Sequence, residues 1–383
     1  MKKKKVLLIG TCSDIKNNRF TGQSIMFDGV VKALEGSGYS PYVIDVSSRW
    51  GSSSIYRMID YLLVLIKELC VLCRHKVYFS YIVTSQSRRG FYRDFFMVTL
   101  LRIFRVKVIA HQYGANYNQL LDSVNKLEKY LLVKNIDYIS KIIVEGEYMK
   151  NQFSFYDGYR PKVDVVPNGL PTEGKNMGIP KVYDKNAEPF TLFYLSNLIF
   201  SKGYFDVLKA VNLLNNTYKM NVKCIFAGQF MSSADDVHPG ISNKANFYEY
   251  IDKYDLSDYI TYFPGLYGED KDYYFHKSHA FILPTYYINE GQPVSILEAM
   301  AYGCVPIVTK YRHIPMMVDE SNGCYVNPSS PESICKSIIE LVKNPELYQY
   351  KSQKAIEDYK TKFTFDKFTA SVLKIFNEID IKE

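Results

Sequence analysis

Short apolar runs alternate along this chain with longer stretches in which apolar residues recur at helical spacing. Before residue 170 the short runs predict buried β-strands at 6–9, 42–45, 78–83, 106–110, 139–144 and 163–166. After residue 189 they predict strands at 190–195, 222–227, 259–263, 279–283 and 305–308. Helical patterns lie between strands. They cover about 23–34, 55–72 and 294–302, and two more patterns end at residue 104 and begin after residue 203. This alternation in both halves predicts an α/β protein.

A segment at 171–189 separates the two halves. From Leu170 to Pro189 the chain holds three prolines and two glycines and little apolar content, which is typical of a linker. We predict one Rossmann-like parallel-sheet domain over 1–170 and a second over 190–360, facing each other across a cleft. Residues 361–383 are predicted to form a last helix with one apolar face, made of Phe365, Phe368, Val372, Ile375 and Ile379.

The stretch from Glu290 to Glu298, Glu-Gly-Gln-Pro-Val-Ser-Ile-Leu-Glu, carries the most specific chemistry. Glu290 lies in the loop before a predicted helix, and Glu298 lies on the second turn of that helix. The helix start supplies backbone N–H groups and the positive end of the dipole, which suit a phosphate. Glu298 would lie roughly 9 Å from that start, about the distance from a nucleotide's diphosphate to its ribose. The geometry suits a sugar nucleotide.

Other residues at the predicted strand ends and helix starts could contact the same ligand. Lys202 stands just before a helix, where its ammonium group can meet phosphates attracted to the helix start. Gly22 opens the first helix and has no β-carbon, so its backbone can approach a phosphate. His111 follows the strand at 106–110 and enters a loop, which is where α/β folds place ligands.

Composition excludes several classes of protein. The chain has 383 residues, of which 47% are apolar and 23% charged, as in globular domains. A net charge of +7 with no aromatic and basic module signature argues against nucleic-acid binding. Seven scattered cysteines, an odd number, indicate reduced thiols in a cytosolic protein, and Cys70 and Cys73 are not expected to bind zinc or act in redox chemistry.

Four further observations argue against a targeting signal, a membrane span, a dinucleotide site and a metal site. Four lysines after Met1 precede an apolar run of only four residues, which indicates a first strand and not a signal peptide. No stretch reaches the roughly 18 apolar residues of a membrane span. No GxGxxG follows the first strand, which argues against a nicotinamide-dependent dehydrogenase. Asp270 and Asp272 form a DxD, but they precede a helical segment and are expected to be acids at a helix start, with no metal bound.

Residues 88–107 interleave arginine and lysine with phenylalanine, tyrosine and leucine. Such a stretch can press onto an anionic membrane surface. It can equally be an amphipathic helix whose basic face is solvated. Both interpretations stay open on the sequence.

The motifs of the second half resemble the donor site of retaining GT-B glycosyltransferases of family 4. The resemblance rests on the Glu-x7-Glu motif, on Leu-Glu-Ala-Met-Ala-Tyr-Gly ending at Gly303, and on the strands around them. It covers Ser196 to Val308 well and the first half loosely. Pro167-Asn168-Gly169 is similar to the segment that leaves the family's first domain. The resemblance implies a GT-B fold in which the last helix crosses back to the first domain.

The resemblance also implies roles for the candidate residues. Glu290 and His111 would act on the donor sugar, and Glu298 would bind the ribose. Gly228 and Gly265, at strand ends, would seat the base. The donor's diphosphate and sugar would be bound by Lys202, Asn197, Gly22, Gly291, Gln292, Pro293 and Val294. Two positions depart from the family: Tyr113 stands where related capsule-type sequences often have a second His, and Asn197 replaces an Arg, which leaves Lys202 as the main cation.

The implied reaction moves a sugar, hexosyl or N-acetylhexosaminyl in type, from a nucleotide-diphosphate sugar, with uridine expected as the base. No metal and no cofactor are expected, since the nucleotide sugar is a co-substrate. The expected acceptor is a lipid-linked glycan of bacterial capsule or O-antigen biosynthesis. This acceptor favours a cytoplasmic location at the inner face of the plasma membrane, with contact through 88–107. A GT-B epimerase or hydrolase and a non-catalytic nucleotide-sugar binding protein are the alternatives.

Overall fold

A computed structural model describes residues 3–13, 22–47, 54–114, 117–170, 177–186, 188–231 and 243–381. The chain divides into two compact units. Unit 1 consists of Met1–Pro171 together with Phe365–Glu383, and unit 2 consists of Thr172–Thr364. The closing helix therefore belongs to the same unit as the N-terminal half.

The elements of unit 1 alternate between strand and helix. They are β1 (Lys4–Gly10), α1 (Gly22–Gly36), β2 (Tyr39–Asp45), α2 (Ser54–Arg74), β3 (Phe79–Thr84), α3 (Arg88–Ile103), β4 (Lys107–Gln112), α4 (Tyr117–Ser123), α5 (Lys126–Tyr138), β5 (Lys141–Val144), α6 (Glu147–Lys150) and β6 (Val163–Val165). Polar residues set where helices begin. Ser87 caps α3 by accepting from the Gly90 N–H, and Asn125 and Glu128 form a capping box at α5.

Unit 2 follows the same alternation and ends in helices. Its elements are β7 (Phe190–Leu195), α7 (Tyr204–Asn212), β8 (Val222–Ala227), α8 (Lys244–Lys253), β9 (Ile260–Phe263), α9 (Gly268–Lys277), β10 (Ala280–Leu283), α10 (Val294–Ala301), β11 (Val305–Thr309), β12 (Cys324–Val326), α11 (Pro331–Lys343) and α12 (Pro345–Lys362). The last helix of the chain, α13 (Phe365–Ile381), returns to unit 1.

In the part of the chain that the structure describes, the strands form two six-stranded sheets. Their orders are β2-β1-β3-β4-β5-β6 and β12-β11-β10-β7-β8-β9. Every pairing is parallel. In the second sheet the chain runs outward from β7 through β8 and β9, then returns to β10 on the other side of β7. The strand order therefore reverses between β7 and β10, and parallel sheets bind ligands at the carboxyl ends of such neighbouring strands.

The apolar faces predicted from the sequence form the cores. Leu7 and Ile9 of β1 pack on one side of the first sheet, and Val6 and Leu8 pack on the other. The predicted apolar face of α13 is buried against the second of these cores. Its Phe365 ring lies over Gly29 of α1, where an added β-carbon would be 2.5 Å from the ring. The α/β fold with two parallel-sheet domains is confirmed.

The predicted strands are all present with shifts of up to three residues at their ends, and β12 has no counterpart among the predicted strands. The sequence predicts a strand that stops at Ala110, whereas β4 continues through His111 to Gln112. His111 pairs with Val83 of β3 and Ile143 of β5, so backbone pairing on both sides extends the strand past the apolar run. Among the described residues, no helix combines the length and apolar character needed to cross a membrane.

Candidate active site

Lys202 is held at the carboxyl end of β7 by a tight turn. The chain leaves Leu195, makes a short 3₁₀ turn over Phe200–Lys202 and reaches Gly203, whose φ is +78°. A β-carbon at Gly203 would lie 2.6 Å from the carbonyl oxygen of Pro284, which follows β10. Glycine is needed here both for the left-handed backbone and for this close approach. The turn therefore brings Lys202 next to the loop that follows β10.

Glu290 lies in that loop and meets Lys202. The Lys202 Nζ is 3.4 Å from Glu290 Oε1 and 3.1 Å from Ser196 Oγ. The other carboxylate oxygen of Glu290 accepts a 2.9 Å hydrogen bond from Thr285 Oγ1. Glu290 is 5% exposed, so its negative charge is oriented by two partners in a largely buried position. A cation and an anion thus lie side by side where the strand order reverses.

Residues 291–294 carry the chain from Glu290 into α10. Gln292 and Pro293 are buried, while Gly291 and Val294 are half-buried. Pro293 has extended backbone angles and provides no side-chain cap, so the first amides of α10 are not capped by it. This helix start has the features expected of a phosphate site. Asn197, the other predicted diphosphate contact, is exposed in the loop after β7.

Glu298 of α10, the predicted ribose contact, is paired with a lysine that the sequence did not single out. The Lys271 Nζ of α9 donates to Glu298 Oε1 at 2.5 Å. Burial disfavours the charge of Lys271, but Glu298 outweighs burial, and the pKa of Lys271 is raised above its ordinary value. Lys271 is the middle residue of the DxD, whose Asp270 lies in the first turn of α9.

The predicted base-binding glycines lie at the carboxyl ends of neighbouring strands. Gly228 follows β8 with a φ of +151°, and a β-carbon there would lie 2.0 Å from the Ser196 carbonyl oxygen. Its N–H donates to the Phe263 carbonyl at the end of β9. Gly265 comes two residues after Phe263, and its added β-carbon would lie 2.8 Å from the Tyr267 hydroxyl. Gly228 lets two backbone segments approach closely at this edge of the sheet, whereas Gly265 leaves room for the Tyr267 side chain.

His111 is enclosed by aromatic side chains of unit 1. Its Nδ1 lies 2.5 Å from the Tyr81 hydroxyl, and its ring stacks on Tyr113 at 4.0 Å between centroids. Burial lowers the pKa of His111 to about 3, so the imidazole is neutral at physiological pH. Within the described residues its Nε2 has no hydrogen-bond partner. Gly22, the other candidate of unit 1, is the exposed first residue of α1, and Thr21 before it lies outside the described residues.

Glu145 is a buried acid of unit 1 that the sequence did not single out. Its Oε2 accepts from the Gly114 N–H at 3.2 Å, and its Oε1 accepts from Asn168 Nδ2 at 2.5 Å. It therefore links the loop after β4, which contains Tyr113, to the Pro-Asn-Gly segment after β6. Long-range pairing of this kind leaves no local signal in the sequence.

The candidates thus fall into two groups. Unit 2 brings together Lys202 and Glu290, and it places Glu298 and the two glycines at the carboxyl edge of the same sheet. Unit 1 contains His111 and Gly22. Within the described ranges, no group of three histidine, cysteine or acidic residues is arranged to hold a metal ion.

Comparison with known proteins agrees with this arrangement. Residues 178–358 match the family model described as Glycosyl transferases group 1. An uncharacterized glycosyltransferase of Haemophilus influenzae is 26% identical over 262 residues, which cover 66% of this chain and 65% of that protein. This chain therefore spans just under two thirds of that relative's length. The comparisons support a group 1 glycosyltransferase.

Solved structures support the fold over the whole chain. Sucrose-phosphate synthase of Thermosynechococcus elongatus matches with a TM-score of 0.75 at 13% identity, covering 100% of both chains. HepE of Anabaena in complex with UDP matches with a TM-score of 0.69 at 13% identity, covering 98% of this chain and 100% of that one. At this identity the likeness establishes a two-domain α/β GT-B fold.

Proposed function

We propose that this chain is a retaining, family 4 glycosyltransferase that transfers a sugar from a UDP-sugar to a lipid-linked glycan in bacterial surface polysaccharide biosynthesis. The observation that carries the proposal is the pair formed by Lys202 and Glu290, 3.4 Å apart at the ends of neighbouring strands. The nucleoside of the donor is proposed to be uridine, and a GT-B neighbour that was solved with UDP supports that choice. The transferred group is proposed to be hexosyl or N-acetylhexosaminyl.

The pair suggests how the donor is bound. Without donor, Lys202 and Glu290 neutralise each other, since each needs a partner in a mostly buried position. A donor would bring a diphosphate to Lys202 and to the start of α10, and sugar hydroxyls to Glu290. Glu298, held by Lys271, would bind the ribose, and Gly228 and Gly265 would lie along the base. His111 is proposed to offer a neutral imidazole to the donor sugar.

The chemical step is proposed to proceed by attack on the face that the leaving group departs from. The bond from the acceptor oxygen to the anomeric carbon forms as the bond from that carbon to the diphosphate oxygen breaks. The acceptor's hydroxyl proton passes to the departing phosphate oxygen, so no protein general base is needed. Lys202 and the helix start would stabilise the charge that develops on the diphosphate, and no metal is assigned a role.

Product stereochemistry tests this proposal. The purified protein would be incubated with UDP-hexoses or UDP-N-acetylhexosamines and a polyprenyl-diphosphate-linked sugar, and the new glycosidic bond would be examined by NMR. We expect the anomeric configuration of the donor to be kept, and we expect the rate to be unchanged by EDTA. An inverted product would contradict retention. If the donor were consumed as fast without acceptor as with it, the epimerase or hydrolase alternative would be favoured.

A further inference from the structure

Helix α2 exposes its apolar side chains. Besides Tyr56, six large apolar residues on it are between 41% and 70% exposed: Met58, Ile59, Leu62, Leu63, Ile66 and Leu69. Their spacing of three and four residues places them on one face of the helix. A contiguous exposed apolar face of this kind on a folded protein marks an interaction site.

The opposite face of α2 buries acidic residues. Asp60, Val64, Glu68 and Leu72 recur at every fourth position and are all buried. Both carboxylate oxygens of Glu68 lack a hydrogen-bond partner in the described part of the chain. In an ordinary helix on the surface of a water-soluble domain, leucines face the core and acids face water. Here both acids lie on the buried face beside Val64 and Leu72, while six large apolar residues face outward, which indicates that the surroundings of the outer face are not water alone.

The charges around α2 point to the chemistry of its partner. From Ser54 to Lys107 the chain has ten Lys and Arg and three Asp and Glu, a net charge of +7, which is the net charge of the entire chain. All three acids in this segment are buried. The exposed charged side chains that the structure describes here are therefore all basic, and they include Lys67, Arg74, Lys76, Arg89, Arg102 and Arg105.

Helix α3 packs against α2 and supplies much of this positive charge. It also exposes Tyr92 and Phe96, which are 43% and 51% exposed, and Ile103, which is 69% exposed. The segment 88–107 therefore adds basic and aromatic side chains to the exposed surface. The largest apolar part of that surface is the outer face of α2.

We propose that the exposed apolar face of α2, together with the basic side chains of α2 and α3, binds an anionic lipid surface. A second copy of this chain would bring an equal positive charge against the first, whereas anionic headgroups complement it. A 21-residue helix with one apolar face lies in the plane of the interface instead of crossing the bilayer. The inference does not depend on the transferase activity, because it concerns binding alone.

Vesicle binding tests the proposal with the full-length protein. Co-sedimentation would compare vesicles of phosphatidylcholine with vesicles of phosphatidylcholine plus phosphatidylglycerol. The wild type is expected to bind the anionic vesicles preferentially, and the binding is expected to weaken as salt is raised. Absence of binding to anionic vesicles at low salt would overturn the proposal.

Two sets of substitutions separate the apolar and the basic contributions. Leu62→Ser combined with Ile66→Ser is expected to lower vesicle affinity by about tenfold or more, because about 1.4 kcal/mol of burial is tenfold in affinity. Arg74→Gln combined with Arg89→Gln is expected to lower affinity for anionic vesicles and to flatten the salt dependence. Leu127→Ser, at a leucine of α5 that is 66% exposed, is the matched control and is expected to bind like the wild type.

Two outcomes would contradict the assignment of this face. If the double serine variant bound vesicles as tightly as the wild type, α2 would not be part of the interface. A lipid-free dimer in analytical ultracentrifugation that the same variant loses would assign the face to a second copy of the chain. A cooperative thermal melt, measured on each variant without ligand, shows that the variant is folded.

Discussion

Lys202 Nζ and Glu290 Oε1 lie 3.4 Å apart, although 88 positions separate the two residues in the chain. They meet because β7 and β10 are neighbours in a parallel sheet and both residues follow the carboxyl ends of these strands. Gly203 makes the approach closer than a residue with a β-carbon would allow. The fold thus creates an ion pair where its strand order reverses, and the proposed chemistry depends on that pair.

Glu290→Gln is expected to reduce kcat by about 100-fold, because an amide cannot provide the negative charge that the proposal places beside the sugar. The Kd for UDP is expected to change much less than kcat, since the proposed contacts with the nucleotide are made by Lys202, the start of α10 and Glu298. Steady-state kinetics and calorimetry would measure the two quantities. Glu249→Gln, at an exposed glutamate of α8, is the control. A variant with wild-type kcat would contradict the role of Glu290.

Glu298→Gln and Lys271→Met are both expected to weaken UDP binding by about tenfold, because a hydrogen bond to a charged group contributes about 1.5–3 kcal/mol. Both variants should discriminate less well than the wild type between UDP and 2′-deoxy-UDP. Lys277→Met, on the exposed end of the same helix, should behave like the wild type. Unchanged discrimination in Glu298→Gln would remove Glu298 from the ribose site.

Gly228→Ala is expected to destabilise unit 2 by about 3 kcal/mol or more, because an added β-carbon would meet the Ser196 carbonyl oxygen at 2.0 Å. Gly268→Ala is the matched control. That glycine has a φ of +52° with no atom near the added carbon, so only a backbone cost of about 1–2 kcal/mol is expected. Calorimetry of both variants would measure the difference, and equal losses of stability would contradict the steric explanation.

Glu68→Gln is expected to stabilise the protein, and the gain should grow as pH rises. Burial raises the pKa of Glu68 to about 9 in the folded state, against 4.5 as its ordinary value. The folded state therefore binds more protons than the unfolded state between about pH 5 and pH 9, and wild-type stability falls as pH rises through that window. The slope attributable to Glu68 is at most about 1.4 kcal/mol per pH unit.

Thermal melts of wild type and Glu68→Gln from pH 5 to pH 8 would measure this effect. Glu35→Gln, at an exposed glutamate of the same unit, is the control and should show a constant small difference. A Glu68→Gln variant whose advantage stays constant across the range would show that the carboxyl group is ionised in the folded protein.

Much of the fold could be predicted from the sequence, because buried parallel strands appear as short apolar runs with turn residues at their ends. Val222–Ala227, for example, is predicted to the residue. The extension of β4 through His111 could not be predicted, since a polar residue ends the apolar run while sheet pairing continues beyond it.

The candidate site was only partly predictable. Lys202 and Glu290 each lie in the segment between a predicted strand and the helix that follows it, so their adjacency followed once the strand order was known. Lys271 and Glu145 could not be predicted, because the partners of both residues are distant in sequence. Lys271 is the middle residue of the DxD, but that motif gives no indication of a contact with Glu298. The sequence predicts a helix over 55–72 but not which of its faces is buried, and the structure exposes six large apolar residues of α2 while it buries Glu68.

Donor binding at Lys202 tests the central claim most directly. Thermal shifts would be measured with UDP-, GDP-, ADP- and dTDP-sugars on wild type, on Lys202→Ala and on Lys336→Ala, an exposed lysine of α11 that serves as the control. A ligand at about 100 times its Kd adds about 2.7 kcal/mol of stability. We predict that UDP-sugars stabilise the wild type and the control, and that Lys202→Ala loses this stabilisation. No shift with any sugar nucleotide, or an equal shift in Lys202→Ala, would contradict the account.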